Sequence, residues 1–134
     1  LMFRQYGLAL LVTQLILDVL YFVVPATVLR PVLKVTDAFS WLLSDLVWKL
    51  DNPVNTFPSN HVAFSTIAAI FILRSTLKRN WIICAELWLA SIAISTLFTH
   101  QHVLVDAIAG AAIAVNVVYL IRRIYLKDKS GSTH

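Results

Sequence analysis

Four long runs of the chain carry almost no charge, at roughly 6–28, 62–77, 81–98 and 103–121. Each approaches the ~20 residues that a helix rising ~1.5 Å per residue needs to cross a bilayer, so four membrane-spanning helices are predicted. The second run is the shortest, with the apolar core VAFSTIAAIFIL, and its ends must lie near the two interfaces or be covered by neighbours. Between the first two runs, TDAFSWLLSDLVWKL sets apolar residues at positions 39, 42, 43, 46, 47 and 50. That stripe predicts a helix over about 37–50, capped by Thr36 or Asp37 and carrying Trp41 and Trp48, that lies in the membrane interface. A short helix packed over the bundle is the plain alternative. Pro25 should end or kink the first helix, and the alanines around Gly110 give the fourth run a small-sided packing surface. The fold class expected is all-α: a polytopic transmembrane helix bundle, four spans plus an interfacial helix, forming a single membrane domain over residues 1–134.

Composition agrees. Of 134 residues 59% are hydrophobic and only 13% charged, with a mean hydropathy of +0.78, far from the balance of a soluble domain. The net charge of +4 does not point to nucleic acid, because the basic residues flank the spans instead of forming a patch interleaved with exposed aromatics. Arg4, Arg74, Lys78, Arg79, Arg122, Arg123, Lys127 and Lys129 share one side of a four-span protein, eight of the eleven Lys and Arg. The positive-inside rule makes that side cytoplasmic, leaving PSNH at 58–61 and THQH at 99–102 on the other. The single cysteine, Cys84, is expected to be a small buried apolar residue. Because the chain begins with Leu, it is expected to be a fragment of a longer protein.

The polar residues inside this apolar background carry the chemistry. Ser95, Thr99, His102 and Asp106 recur at spacings of four, three and four, one face if the helix runs through. An Asp one turn after a His can accept a hydrogen bond from one ring nitrogen and leave the other as a base or nucleophile. Taken alone, the pair is equally explained as a polar staple between helices. His61 tips the balance, arriving on the same side in a proline-led turn with Ser59 and the amides of a helix N-terminus, a geometry suited to an anion. Arg30, by itself a snorkelling interfacial cation, adds a fixed positive charge. One cation, an anion-cradling turn and two imidazoles are what phosphoryl transfer through a phosphohistidine requires. A metal site is the weaker reading: His61, His102 and Asp106 form no H-x-x-x-H or carboxylate cluster, and Arg30 would repel a cation. Asp18 and Glu86, inside spans, are expected to meet polar or basic neighbours such as Gln14 and Thr13.

These residues resemble the type 2 phosphatidic acid phosphatase superfamily, whose signature is K-x6-R-P, then P-S-G-H, then S-R-x5-H-x3-D. Arg30-Pro31 matches the end of the first motif, Pro58-Ser59-Asn60-His61 the second, and Ser95, His102 and Asp106 the third. The run LDNPVNTFPSNHVAF with LFTHQHVLVDAIAG is most similar to the branch that includes inositol phosphorylceramide synthase-like proteins, where D-x-P-x-N-x-F-P-S-x-H and T-K-Q-H are common. The resemblance covers about Tyr21 to Ala114 and implies the last four of six spans. It also implies that His102 attacks phosphorus, Asp106 orients it, and His61 protonates the leaving oxygen and then activates water. Arg30, Ser59, Asn60, Ser95 and His100 become candidate substrate-binding residues, and no metal or other cofactor is implied. The departures are Val23 for the first-motif Lys, Asn60 for Gly and Thr96 for Arg; His100, Lys34 or Lys49 could restore charge.

The expected function is therefore hydrolysis of a lipid phosphomonoester or pyrophosphate through a phosphohistidine at the non-cytoplasmic interface. Its partners are a lipid phosphate substrate and membrane lipids, with no nucleic acid. The alternatives are a lipid phosphotransferase, in which an alcohol replaces water, and a non-catalytic membrane protein retaining the scaffold.

Overall fold

The computed structural model describes residues 2–27, 29, 34–50, 54–99 and 102–131. Its helices are α1 (Met2–Val23), α2 (Ala38–Trp41), a π-helical turn (Leu42–Val47), α3 (Trp48–Leu50), α4 (Asn60–Ile72), α5 (Arg79–Phe98) and α6 (Leu104–Gly131). The protein is an all-α membrane helix bundle. Helices α1, α5 and α6 are long and apolar enough to cross a membrane, whereas α4 is shorter. With 13 residues, α4 covers about 20 Å at ~1.5 Å per residue, less than the ~30 Å of a hydrocarbon core.

Helix ends follow local chemistry. Helix α1 stops at Val23, short of the expected 28, because Pro25 lacks an N–H and disfavours helical backbone at Val24; the last helical bond runs from Val24 N–H to Leu20 O, 2.7 Å. Helix α2 opens with a reciprocal capping box. Ser40 N–H donates to Asp37 Oδ1 at 2.7 Å and Asp37 N–H donates to Ser40 Oγ at 3.1 Å, satisfying two otherwise orphaned amides. Ser59 caps α4, its hydroxyl accepting from Val62 N–H at 3.4 Å.

The long helices alternate in direction, and α4 is central, packing against α1, α5 and α6. Ala9 and Leu17 of α1, Ala63, Ile67 and Phe71 of α4, and Ala114, Val117, Val118 and Ile121 of α6 form the core. Where lipid replaces water, close fit between small residues holds helices together, and the alanines at 9, 63 and 114 are completely enclosed. Tyr6 meets Phe71 edge-on, ring centroids 5.4 Å apart. Helix α5 packs on α4 but turns Trp81, Leu87, Trp88, Ile94 and Phe98 outward. On this outer helix Cys84 is exposed, contrary to the expected burial. Asp18 accepts from Gln14 Nε2 at 2.7 Å, the partner expected, while Glu86 Oε1 is a buried acceptor with no hydrogen-bond partner among the described residues.

Candidate active site

The turn before α4 is tied to the end of α1. Thr27 and Val54 form an antiparallel bridge, Thr56 N–H donates to Ala26 O at 3.2 Å, and the Tyr21 hydroxyl donates to Pro58 O at 2.8 Å. Asn55 takes the left-handed conformation, φ 58°, where Asn is among the few tolerated side chains. The Phe57–Pro58 peptide is cis. Thr56, Pro58 and Ser59 are buried, and this polar turn is held by Tyr21 of α1 and by Ala26 and Thr27 just beyond it.

The second half of the site is the turn between α5 and α6. Helix α5 ends at Phe98 with Thr99 as its C-cap, and His102 N–H returns to Thr96 O at 3.2 Å. The Trp48 indole N–H donates to Thr99 O at 2.8 Å, supplying a partner for one of the last carbonyls of the helix. The two turns are joined directly, Ser59 N–H donating to Asp106 O at 2.9 Å. Gly110 makes that approach possible: a Cβ there would collide with Ser59 O and lie 3.4 Å from Ala63 N.

These contacts bring two imidazoles together. The rings of His61 and His102 lie edge to face with centroids 5.9 Å apart and planes at 61°. His61, in the first turn of α4, is exposed, while His102 is buried. His102 Nδ1 lies 2.8 Å from Thr56 O. A carbonyl only accepts, so Nδ1 carries the hydrogen, which in the neutral ring puts the lone pair on Nε2. The sequence assigned that orienting bond to Asp106, but its Oδ2 stands 3.6 Å from Nδ1, beyond hydrogen-bond reach. The carboxylate instead accepts from Val103 N–H at 3.0 Å, because the chain turns before α6 and aims Asp106 at the helix start. It still acts on the ring through charge, both side chains being buried.

With this geometry in hand, the chain matches the PAP2 superfamily over residues 4–130. The chain belongs to that superfamily. No curated protein and no solved structure matches it. PAP2 membership gives the site its reaction class, phosphatase or phosphotransferase chemistry on phosphate esters, and with three helices long and apolar enough to span it makes the chain an integral membrane protein.

The remaining residues of the PAP2 reading separate. Ser59 is buried as the cap of α4. Asn60 is half-buried and its Oδ1 has no hydrogen-bond partner among the described residues. Ser95 is exposed and its hydroxyl donates to Ile92 O at 2.8 Å. The single helical face predicted from 95 to 106 does not form, because α5 ends at Phe98 and α6 starts at Leu104. Thr96, in place of the superfamily Arg, is buried with its hydroxyl 2.8 Å from Ala93 O. Lys34 is exposed and Lys49 pairs with Asp45 at 2.5 Å. Arg30 and His100 lie outside the described residues. Among the described residues no three His, Cys, Asp or Glu come close enough together to hold a metal ion. The residues that sequence reasoning missed are Thr56, which acts through its main chain, and Trp48, which was read only as an interfacial anchor.

Proposed function

We propose that the protein is a lipid phosphatase that hydrolyses a phosphomonoester or pyrophosphate through a phosphohistidine at the non-cytoplasmic interface. The observation that carries this reading is the His61–His102 pair, 5.9 Å between ring centroids, with His102 fixed in the tautomer that leaves the Nε2 lone pair for attack. His102 Nε2 forms a bond to phosphorus while the bond from phosphorus to the leaving oxygen breaks, and a His61 imidazolium gives its proton to that oxygen. Neutral His61 then takes a proton from water. The water oxygen bonds to phosphorus, the N–P bond breaks, and phosphate leaves.

Asp106, 3.6 Å from Nδ1, steadies the positive charge the ring acquires when Nε2 is phosphorylated. Ser59, Asn60, Arg30 and His100 are the groups proposed to hold non-bridging oxygens; Ser95, bonded back to its own helix, is not among them. Short α4 supports a lipid substrate, since a 13-residue helix leaves its N-terminus at a depth that headgroup phosphates reach while acyl chains stay in hydrocarbon. The motif run around PSNH, similar to inositol phosphorylceramide synthase-like proteins, keeps transfer to an alcohol as the second reading.

Phosphate release from phosphatidate or an isoprenoid pyrophosphate, in detergent with a chelator present, tests the proposal. His102→Ala should fall to background and His61→Ala by ~10²–10⁴-fold. Equal rates for wild type and His102→Ala would remove the enzyme reading, and complete inhibition by chelator would replace it with a metal mechanism. Trapping the N-linked phosphate and challenging it with water or alcohol distinguishes hydrolysis from transfer.

A further inference from the structure

Phe39, Trp41, Leu42, Leu46 and Leu50 of the 38–50 segment are exposed, as expected of a helix lying against lipid, but Trp48 is half-buried. It stands where the π-helical turn ends, its own N–H reaching back to Leu43 O. A π-helical turn carries an extra residue and changes the direction in which the next side chains project. Here the indole N–H meets Thr99 O at 2.8 Å, across 51 residues of chain.

Thr99 lies three residues before His102, inside the turn closed by His102 N–H to Thr96 O at 3.2 Å. A few residues beyond Trp48, the Thr56 carbonyl receives the Nδ1–H of His102 at 2.8 Å. Trp48 and Thr56 therefore hold His102 at two points, one at the main chain ahead of the imidazole and one at the ring. The Trp48 bond thus holds the end of α5, on which the main chain of His102 is anchored through Thr96 O, while Thr56 O holds the ring.

We propose that Trp48 is a positioning residue for His102, acting through the Thr99 carbonyl. Only its kinetic consequence rests on the phosphohistidine reading; the effect on the imidazole does not. The test uses full-length protein with ¹⁵N-labelled histidine and tryptophan in detergent. In the wild type the Trp48 indole N–H should be protected from solvent exchange and His102 should show the Nδ1–H tautomer. Trp48→Phe keeps a ring and removes the donor. It should give His102 a mixture of tautomers and lower kcat about tenfold with KM within about twofold, the pattern of a misplaced reacting group and not of lost substrate binding. Rapid exchange of the wild-type indole N–H, or an unchanged His102 spectrum in Trp48→Phe, would overturn the proposal. A shifted tautomer balance in a protein whose wild type releases no phosphate would uphold the positioning role and overturn the phosphatase reading instead.

Discussion

Gly110 shows how much of the site hangs on one missing methyl group. A Cβ there would strike Ser59 O, and that carbonyl already accepts from Ala63 N–H at 3.0 Å as the first turn of α4 forms. Gly110→Ala should therefore push the start of α6 away from the start of α4, costing about 1–3 kcal/mol by overpacking and separating His61 from His102. Gly7, in α1, has nothing within 4 Å of an added Cβ, so Gly7→Ala should stabilise by about 0.5–1 kcal/mol through helix propensity. Thermal unfolding of the two variants in one detergent, with phosphate release measured alongside, should move in opposite directions. Asn55 sets the aim of the next carbonyl, that of Thr56, from a backbone at φ 58°. Asn55→Val should cost about 1–3 kcal/mol in strain and lower activity, while Asn55→Gly should keep both near wild type. The small side of α6 was legible in the alanines around Gly110. That its partner would be the main chain of the residue capping α4 was not, because a pattern of side chains says nothing of which carbonyl lies opposite.

At the scale of the elements, α2 carries a pH dependence of defined sign. The Ser40 N–H donating to the Asp37 carboxylate, helped by the Ser40 hydroxyl, holds that group below the usual carboxylate range. A folded-state pKa lowered in this way contributes stability that is present above the unfolded value and lost as pH falls through the folded one. Protection of the amides of residues 38–41, measured against their intrinsic exchange rates, should therefore fall as pH drops below the ordinary Asp range, and Asp37→Ala should be less protected at neutral pH but converge with wild type at low pH. Asp37 and Ser59 as caps, and Pro25 near the end of α1, follow from local chemistry that the sequence displays openly. The break between α5 and α6 does not. Polar residues at 95, 99, 102 and 106 keep a helical period straight through it, and THQH contains neither Gly nor Pro to mark a turn. The expectation that 95, 99, 102 and 106 share one continuous helical face fails at that break.

Across the whole molecule, the two histidines were found from their motifs because each motif fixes a side chain at a helix start, and the alternation of long helices then brings both starts to one end of the bundle. The groups that orient His102 are a main-chain carbonyl and, as proposed, an indole 54 positions away in the chain numbering, and no spacing rule reaches either. The opposite end of the bundle is basic. Arg74, Lys78 and Arg79 follow α4, Arg122 and Arg123 lie near the end of α6, and Arg74 is close enough to Arg122 for the like charge to be felt. Arg123 sits over the Tyr119 ring, 5.0 Å from its centroid, as a cation does when it snorkels along an aromatic toward water. If positive charge stays in the cytoplasm, the imidazole pair faces the other compartment and draws its substrate from that leaflet. A membrane-impermeant maleimide decides this in a Cys84→Ala background. In intact cells Phe39→Cys, exposed in the segment that joins α1 to α4, should react, whereas Lys78→Cys should react only after the membrane is opened. The reverse pattern would turn the bundle over and give the proposed reaction a cytoplasmic substrate, with the same two rings doing the chemistry.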